Sequence, residues 1–387
     1  MRLAALLVAA TCLTACDGRG SLPATAPSAP GAPGAPSSSP VPAATPSLTL
    51  YSVPSGINHL TLSTDGKIWF TTNDQNTPAA QSSVGFLDPS TGRATTFSAI
   101  AENESPYSVP DQITAGANGS VWFDVNWFGF GCPQPCTPAS PMINEVTETG
   151  TLTAYATGMP SGSSVYDLIR AADSHVYALG SMPASGQSSA QPAVLQFTLG
   201  QTVAPSATAA GPAVQGNPYI TLNQGLNGAL VIATSGALYN FSSGSFSNIG
   251  STANGGYCGV VSSGGAYWIS QSFFTPTANG NGETGAWASN IVRMTSAGVA
   301  TNYAMPSSGV VTCSLNGEGQ DQVVSSPGGN IYYTENNADK IGRLNTVTGA
   351  STELSPGIGP TVAVTVDASG NVWVAGINGK IAEIKGF

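Results

Sequence analysis

The chain has 387 residues, and only 8% of them are charged. Its acidic side chains outnumber the basic ones, for a formal net charge of −10. That balance lacks the basic footprint nucleic acid requires and excludes nucleic acid from the expected partners. Past the first residues, no apolar run reaches the length of a transmembrane helix.

Residues 1–15 read as a targeting segment. Arg2 gives a short positive region, and Leu3–Leu13 an apolar stretch too short to span a bilayer. Leu13-Thr14-Ala15-Cys16 resembles a bacterial lipobox. The resemblance implies cleavage before Cys16, lipidation of Cys16 and attachment to a bacterial membrane in the cell envelope, periplasmic or surface-exposed. Several acyl chains anchor a protein stably where one is marginal. The alternative is an ordinary secretory signal with a chance cysteine. Residues 16–47 are dominated by Pro, Ala, Ser and Gly. Such a segment cannot bury a core, and a disordered tether is expected.

Residues 48–387 are built on a repeat. Asp321–Leu354 shows the unit most plainly: four short strands, DQVVSS, NIYYTE, KIGRLN and ASTEL, parted by turns and a polar loop. A lone four-stranded meander buries too little apolar surface to be stable, so the unit implies neighbours. A turn followed by a hydrophobic or aromatic pair recurs seven times, ending at Trp69, Trp122, Tyr177, Val231, Trp268, Tyr332 and Trp373. Seven such units arranged radially give an all-β, seven-bladed β-propeller. Its tryptophans are expected to be core between blades. The first strand, LTLYSVP (Leu48–Pro54), matches the outer strands at Thr95–Ile100, Thr301–Pro306 and Ser351–Pro356. The last unit, from Thr361, supplies only three strands. The N-terminal strand is therefore expected to complete the last blade and remove an open edge.

Six cysteines are present, and four remain besides Cys12 of the targeting segment and Cys16 of the lipobox. An exported chain favours disulfides, and Cys132–Cys136 and Cys258–Cys313 are the expected pairs. A four-cysteine zinc site is the rival.

Strand order decides which residues meet. In a meander, the starts of first strands and the ends of second strands share one face, and the tight turns share the other. The first face also carries the long insertions Gly129–Pro141, Ser181–Pro192 and Phe273–Asn290, so it is the expected binding surface. First strands bring His59, Asp111, Asp167 and Asp321 to it. Ends of second strands add Asn73, Asp74, Asp124, Asn126, Gln271 and Glu335. Grouped carboxylates, Asp321 and Glu335 above all, could hold a hard cation such as Mg²⁺ or Ca²⁺ through oxygen ligands. The competing expectation is that they cap strand ends and bond loop amides.

WFTTN, YYTEN, IGRLNTVTG and VGFLDPSTGRATTF resemble the repeat of the streptogramin B lyase (virginiamycin B lyase) group of seven-bladed propellers, over roughly residues 48–387. The resemblance implies a carbon–oxygen lyase that opens a cyclic depsipeptide by elimination, with histidines at first-strand starts and a Glu-bound Mg²⁺. Of the two histidines, His59 holds such a position, whereas His175 lies at the turn before a second strand, on the opposite face; Glu335 fits the Thr-Glu element. Two functions follow. One is an anchored, monomeric binding module presenting its loop-rich face to an extracytoplasmic ligand. The other is a metal-dependent lyase, or a related lactone-cleaving enzyme, with His59 as the catalytic base.

Overall fold

The structure, a computed structural model, describes residues 45–387 except 55, 73–81, 102–103, 105–106, 128–136, 184–188, 199–205, 211–213, 216–220, 235, 252–255, 277–284, 307–322 and 336–337. The targeting segment with Cys16, most of the tether, and Asn73, Asp74, Cys132, Cys136, Cys313 and Asp321 lie outside the described residues.

Seven antiparallel sheets follow one another along the chain. Blade one comprises Ile57–Leu62, Ile68–Thr72, Ser83–Asp88 and Arg93–Ser98. Blade two comprises Ser108–Ala115, Val121–Trp127, Met142–Val146 and Leu152–Ala156. Blade three comprises Ser164–Arg170, His175–Pro183, Ser189–Thr198 and Ser206–Ala210, with Val214–Gln215 also paired to its third strand. Blade four runs through Thr221–Gln224, Leu230–Ala233, Ala237–Ser242 and Ser245–Ser251. Blade five is Gly256–Ser263, Ala266–Pro276, Gly285–Thr295 and Ala300–Ala304; blade six is Val323–Ser325, Asn330–Glu335, Lys340–Asn345 and Ser351–Leu354. Blade seven takes Thr361–Val366, Val372–Gly376 and Lys380–Lys385 from the C-terminal end of the chain, and its fourth strand is Ser47–Ser52. That N-terminal strand pairs along its length, from Ser47 opposite Lys385 to Ser52 opposite Lys380. The ring is closed as the sequence implies.

Each core cluster lies between two blades. Trp69 packs with Phe123 and Val125 of blade two, Trp122 with Val165 and Phe197 of blade three, and Trp268 with Val323 and Leu344 of blade six. Trp373 of blade seven meets Ile57 and Leu60 of blade one. All four indoles are buried, as expected of core. The outer-strand match has a physical cause: its aromatic residue lies on the tryptophan of its own blade. Tyr51 stacks on Trp373 at 5.8 Å, Tyr155 on Trp122 at 4.7 Å, and Tyr303 lies 5.6 Å from Trp268. Turn glycines of the following blade close over these rings. A Cβ on Gly150, at φ +81°, would come within 2.6 Å of Phe97, and one on Gly349 within 2.8 Å of Tyr303. Positive φ and close approach together demand glycine there.

Two expected insertions are partly strand. The second and third strands of blade three stay in register out to Pro183 opposite Ala190. Those of blade five stay paired out to Pro276 opposite Gly285. Their Ser-, Gly- and Pro-rich composition reads as loop, but the hairpin register established inside the blade carries the ladder outward.

Candidate functional site

The first strands of all seven blades surround a cavity of about 190 Å³ on the axis. Its polar lining includes Thr61, Gln112, Asp167, Thr221, Asn223 and Thr365. In five of those strands the pairing slips near the start: between Ile57 and His59, Pro110 and Ile113, Val165 and Asp167, Tyr257 and Gly259, and Thr361 and Ala363. A bulge inserts residues without partners and re-aims the side chains around it. The five bulges lie at the loop-bearing end.

The bulges of blades one and two build the first contact. His59 is 0% exposed. Its Nε2 lies 3.2 Å from Asp111 Oδ1 and 3.1 Å from Gln112 Nε2. One nitrogen cannot serve both: with a proton it donates to Asp111, and without one it accepts from the Gln112 amide. The same seam is tied by the Thr71 hydroxyl, which donates to the Asp111 carbonyl at 2.5 Å.

Asp124 and Asp167 continue the cluster around the axis. Asp124 Oδ2 accepts from Asn126 Nδ2 at 2.6 Å, while Oδ1, equally buried, completes no hydrogen bond. Burial, then the charges of Asp111 and Asp167, push the Asp124 carboxyl well above the usual range, against a partial pull from the backbone N–H groups of Gln112 and Asp124. Asn126 ties blade two to blade three by accepting from the Val165 amide and donating to the Val165 carbonyl, each at 2.8 Å. Asp167 ties blade three to blade four. Its Oδ2 accepts from the Thr221 hydroxyl at 2.7 Å and the Leu222 amide at 2.8 Å, and its Oδ1 from the Leu168 amide at 2.7 Å. Burial still lifts it to about 6, with those donors and His59 pulling the other way.

The structure thus brings His59, Asp111, Asp124 and Asp167 to one mouth and adds Gln112, which sequence reasoning did not single out. Glu335 is buried at the end of the second strand of blade six, opposite Lys340 in register. Its intended companion Asp321 lies outside the described residues. Gln271 is buried in blade five. His175 starts the second strand of blade three on the tight-turn face. Cys258 borders the axial cavity and is disulfide-bonded. Among the described residues, no three His, Cys, Asp or Glu side chains are placed to hold a metal ion. Among the described carboxylates, Asp111 meets His59 and Asp167 meets hydroxyl and amide donors.

The raised carboxyls make a pH prediction. A group whose folded pKa lies above its unfolded value contributes stability that is complete below the unfolded pKa and is lost as pH rises through the folded one. For Asp167 that window runs from about 4 to about 6, with a slope of up to about 1.4 kcal/mol per pH unit. Asp124 acts in the same direction. Asp65, Asp88, Asp173 and Asp367 are held low and lose their contribution only under more acidic conditions. The unfolding temperature should therefore rise from pH 7 to pH 5 and fall below pH 4. In Asp167→Asn the rise should be smaller, which thermal unfolding across pH will read.

No family model matches the sequence, and no curated protein matches it. Solved structures do. A streptogramin B lyase structure shares 18% identity over 88% of this chain and 97% of that one, with a TM-score of 0.59. Virginiamycin B lyase from Staphylococcus aureus shares 17%, over 88% of this chain and 99% of that one, at a TM-score of 0.59. The WD40 β-propeller domain of Doa1 shares 10%, over 88% and 95%, at 0.57. At such identities the likeness is one of fold. The chain is a seven-bladed β-propeller whose fold is similar to that of streptogramin B lyase.

Proposed function

We propose that the chain is an exported, lipid-anchored binding propeller that takes an extracytoplasmic ligand at the axial mouth of its loop-bearing face. In this reading residues 1–15 direct export, Cys16 carries the lipid, residues 16–47 are the tether, and the propeller acts as a monomer. Cys132–Cys136 and Cys258–Cys313 are its disulfides; the bonded state of Cys258 supports the second pair. The observation that carries the proposal is the state of the mouth. Gln112 and Asp167 face a polar axial cavity, whereas His59, the histidine at that mouth, is fully buried and held against Asp111 and Gln112. A base must come within hydrogen-bond reach of the proton it removes. His59 is packed beneath the surface and is better suited to fixing the mouth's shape.

A second reading has specific support in the His59–Asp111 contact and the fold likeness: a metal-dependent lyase opening a cyclic depsipeptide by elimination, or a related lactone-cleaving enzyme, with His59 as base. Incubating the purified protein with a streptogramin B antibiotic and Mg²⁺ separates the two. The binding reading expects the antibiotic unchanged by chromatography and mass spectrometry. Ring-opened product that disappears in His59→Ala would establish the lyase instead.

A further inference from the structure

A second cavity, of about 130 Å³, lies on the tight-turn face at the seam of blades three and four. It is separate from the axial mouth and independent of the function proposed there. Ala171, Leu230 and Phe241, all buried, lie among its apolar residues. Asp173 and Tyr177 of blade three and Gly228, Ala229 and the hairpin tip Ser242–Ser243 of blade four complete the lining.

The chemistry of this lining is selective. The Asp173 side chain is 50% exposed. Its Oδ1 accepts from the His175 amide at 3.1 Å and its Oδ2 from the Tyr177 hydroxyl at 2.7 Å. Each oxygen keeps lone-pair capacity for another donor. Partial burial lifts its pKa, but the Tyr177 hydroxyl and the His175 amide and ring outweigh that and hold it below the ordinary value. Tyr177 goes the other way: burial and then the bond to Asp173 push the phenol to about 12, so it stays a neutral donor. Among the described residues, no lysine or arginine is ion-paired with Asp173; its only such neighbour is His175, whose Nδ1 lies 3.4 Å from Oδ2. The cavity therefore joins a half-exposed carboxylate, which lacks a lysine or arginine partner among the described residues, to two aromatic side chains and an apolar floor. An anion would meet repulsion. A bare metal ion would find one carboxylate. A neutral polyol would leave the charge uncompensated. An organic cation with an apolar shell satisfies both halves, since aromatic rings and carboxylates favour alkylated ammonium groups.

We propose that this cavity binds a small alkylammonium group, with Asp173 supplying the countercharge and Tyr177 and Phe241 the apolar contact. Calorimetric titration of the purified full chain with tetramethylammonium chloride, against sodium chloride at matched ionic strength, tests it. The expected result is saturable binding that weakens about tenfold in Asp173→Asn, a loss of about 1.4 kcal/mol. Asn keeps an oxygen for the His175 amide, so the turn should survive. Ser243→Asp adds a second carboxylate at a left-handed position that Asp tolerates, and should tighten binding. No saturable binding by the wild type, binding unchanged in Asp173→Asn, or equal binding of glucose would overturn the proposal.

Discussion

Removing Thr49–Val53 should lower the unfolding temperature sharply, while removing Ala24–Ala44 should leave it almost unchanged. The first deletion takes out most of the strand that pairs with Lys380–Lys385. It also removes Tyr51, which stacks on Trp373 at 5.8 Å and donates to Glu383 Oε2 at 3.4 Å, and Val53, whose amide donates to the Gly379 carbonyl at 2.9 Å. Tyr51 and Val53 are half-buried against the Trp373 core, so their loss costs less than the roughly 3–5 kcal/mol of a fully buried aromatic, and the exposed strand edge adds to it. The second deletion falls in Pro/Ala/Ser-rich sequence that cannot form a core. Equal effects of the two deletions, read by thermal unfolding, would defeat the closure argument.

Trp122→Ala should destabilise the protein by about 3–5 kcal/mol. The indole is fully buried, stacked on Tyr155 at an interplanar angle of 15°, and packed against Phe197 of the next blade at 5.9 Å. It therefore supports its own sheet and a blade seam, and neither side can collapse into the void without moving the other. Trp122→Phe should recover part of the loss by keeping a ring on Tyr155. Denaturant unfolding of both variants checks the order: wild type, then Phe, then Ala.

The repeat was legible because it rests on local chemistry. Turns that need glycine precede strands that need an aromatic, and the same outer-strand pattern in LTLYSVP and TTFSAI reflects the packing of Tyr51 and Phe97 beside a tryptophan. That is why the closure could be read from one strand without a blade of its own. The mouth was legible in part. Strand position alone brought His59, Asp111, Asp124 and Asp167 to one end, but their partners lie across blade seams: Asp167 meets Thr221 and Leu222, 54 and 55 residues away. No local pattern announces such a tie. Gln112 was missed for a related reason. Adjacent residues on a regular strand point to opposite faces, so Asp111 and Gln112 should not both reach one histidine. The bulge between Pro110 and Ile113 breaks that alternation, and alternation is what sequence reading relies on. The hairpin extensions of blades three and five were hidden by composition, since Ser, Gly and Pro signal loops and the pairing there is inherited from the blade below.

In the proposed binding function the carboxylates of the mouth tie neighbouring blades and take no divalent ion. Asp167 already accepts three hydrogen bonds, and Asp111 faces His59. Titration of the purified protein with Mg²⁺ and with Ca²⁺, followed by calorimetry, tests this most directly. Heats of dilution only are expected, together with a loss of stability of about 1–3 kcal/mol in Asp167→Asn through the broken tie to blade four. Saturable binding of either ion that disappears in Asp321→Asn or Glu335→Gln would contradict it.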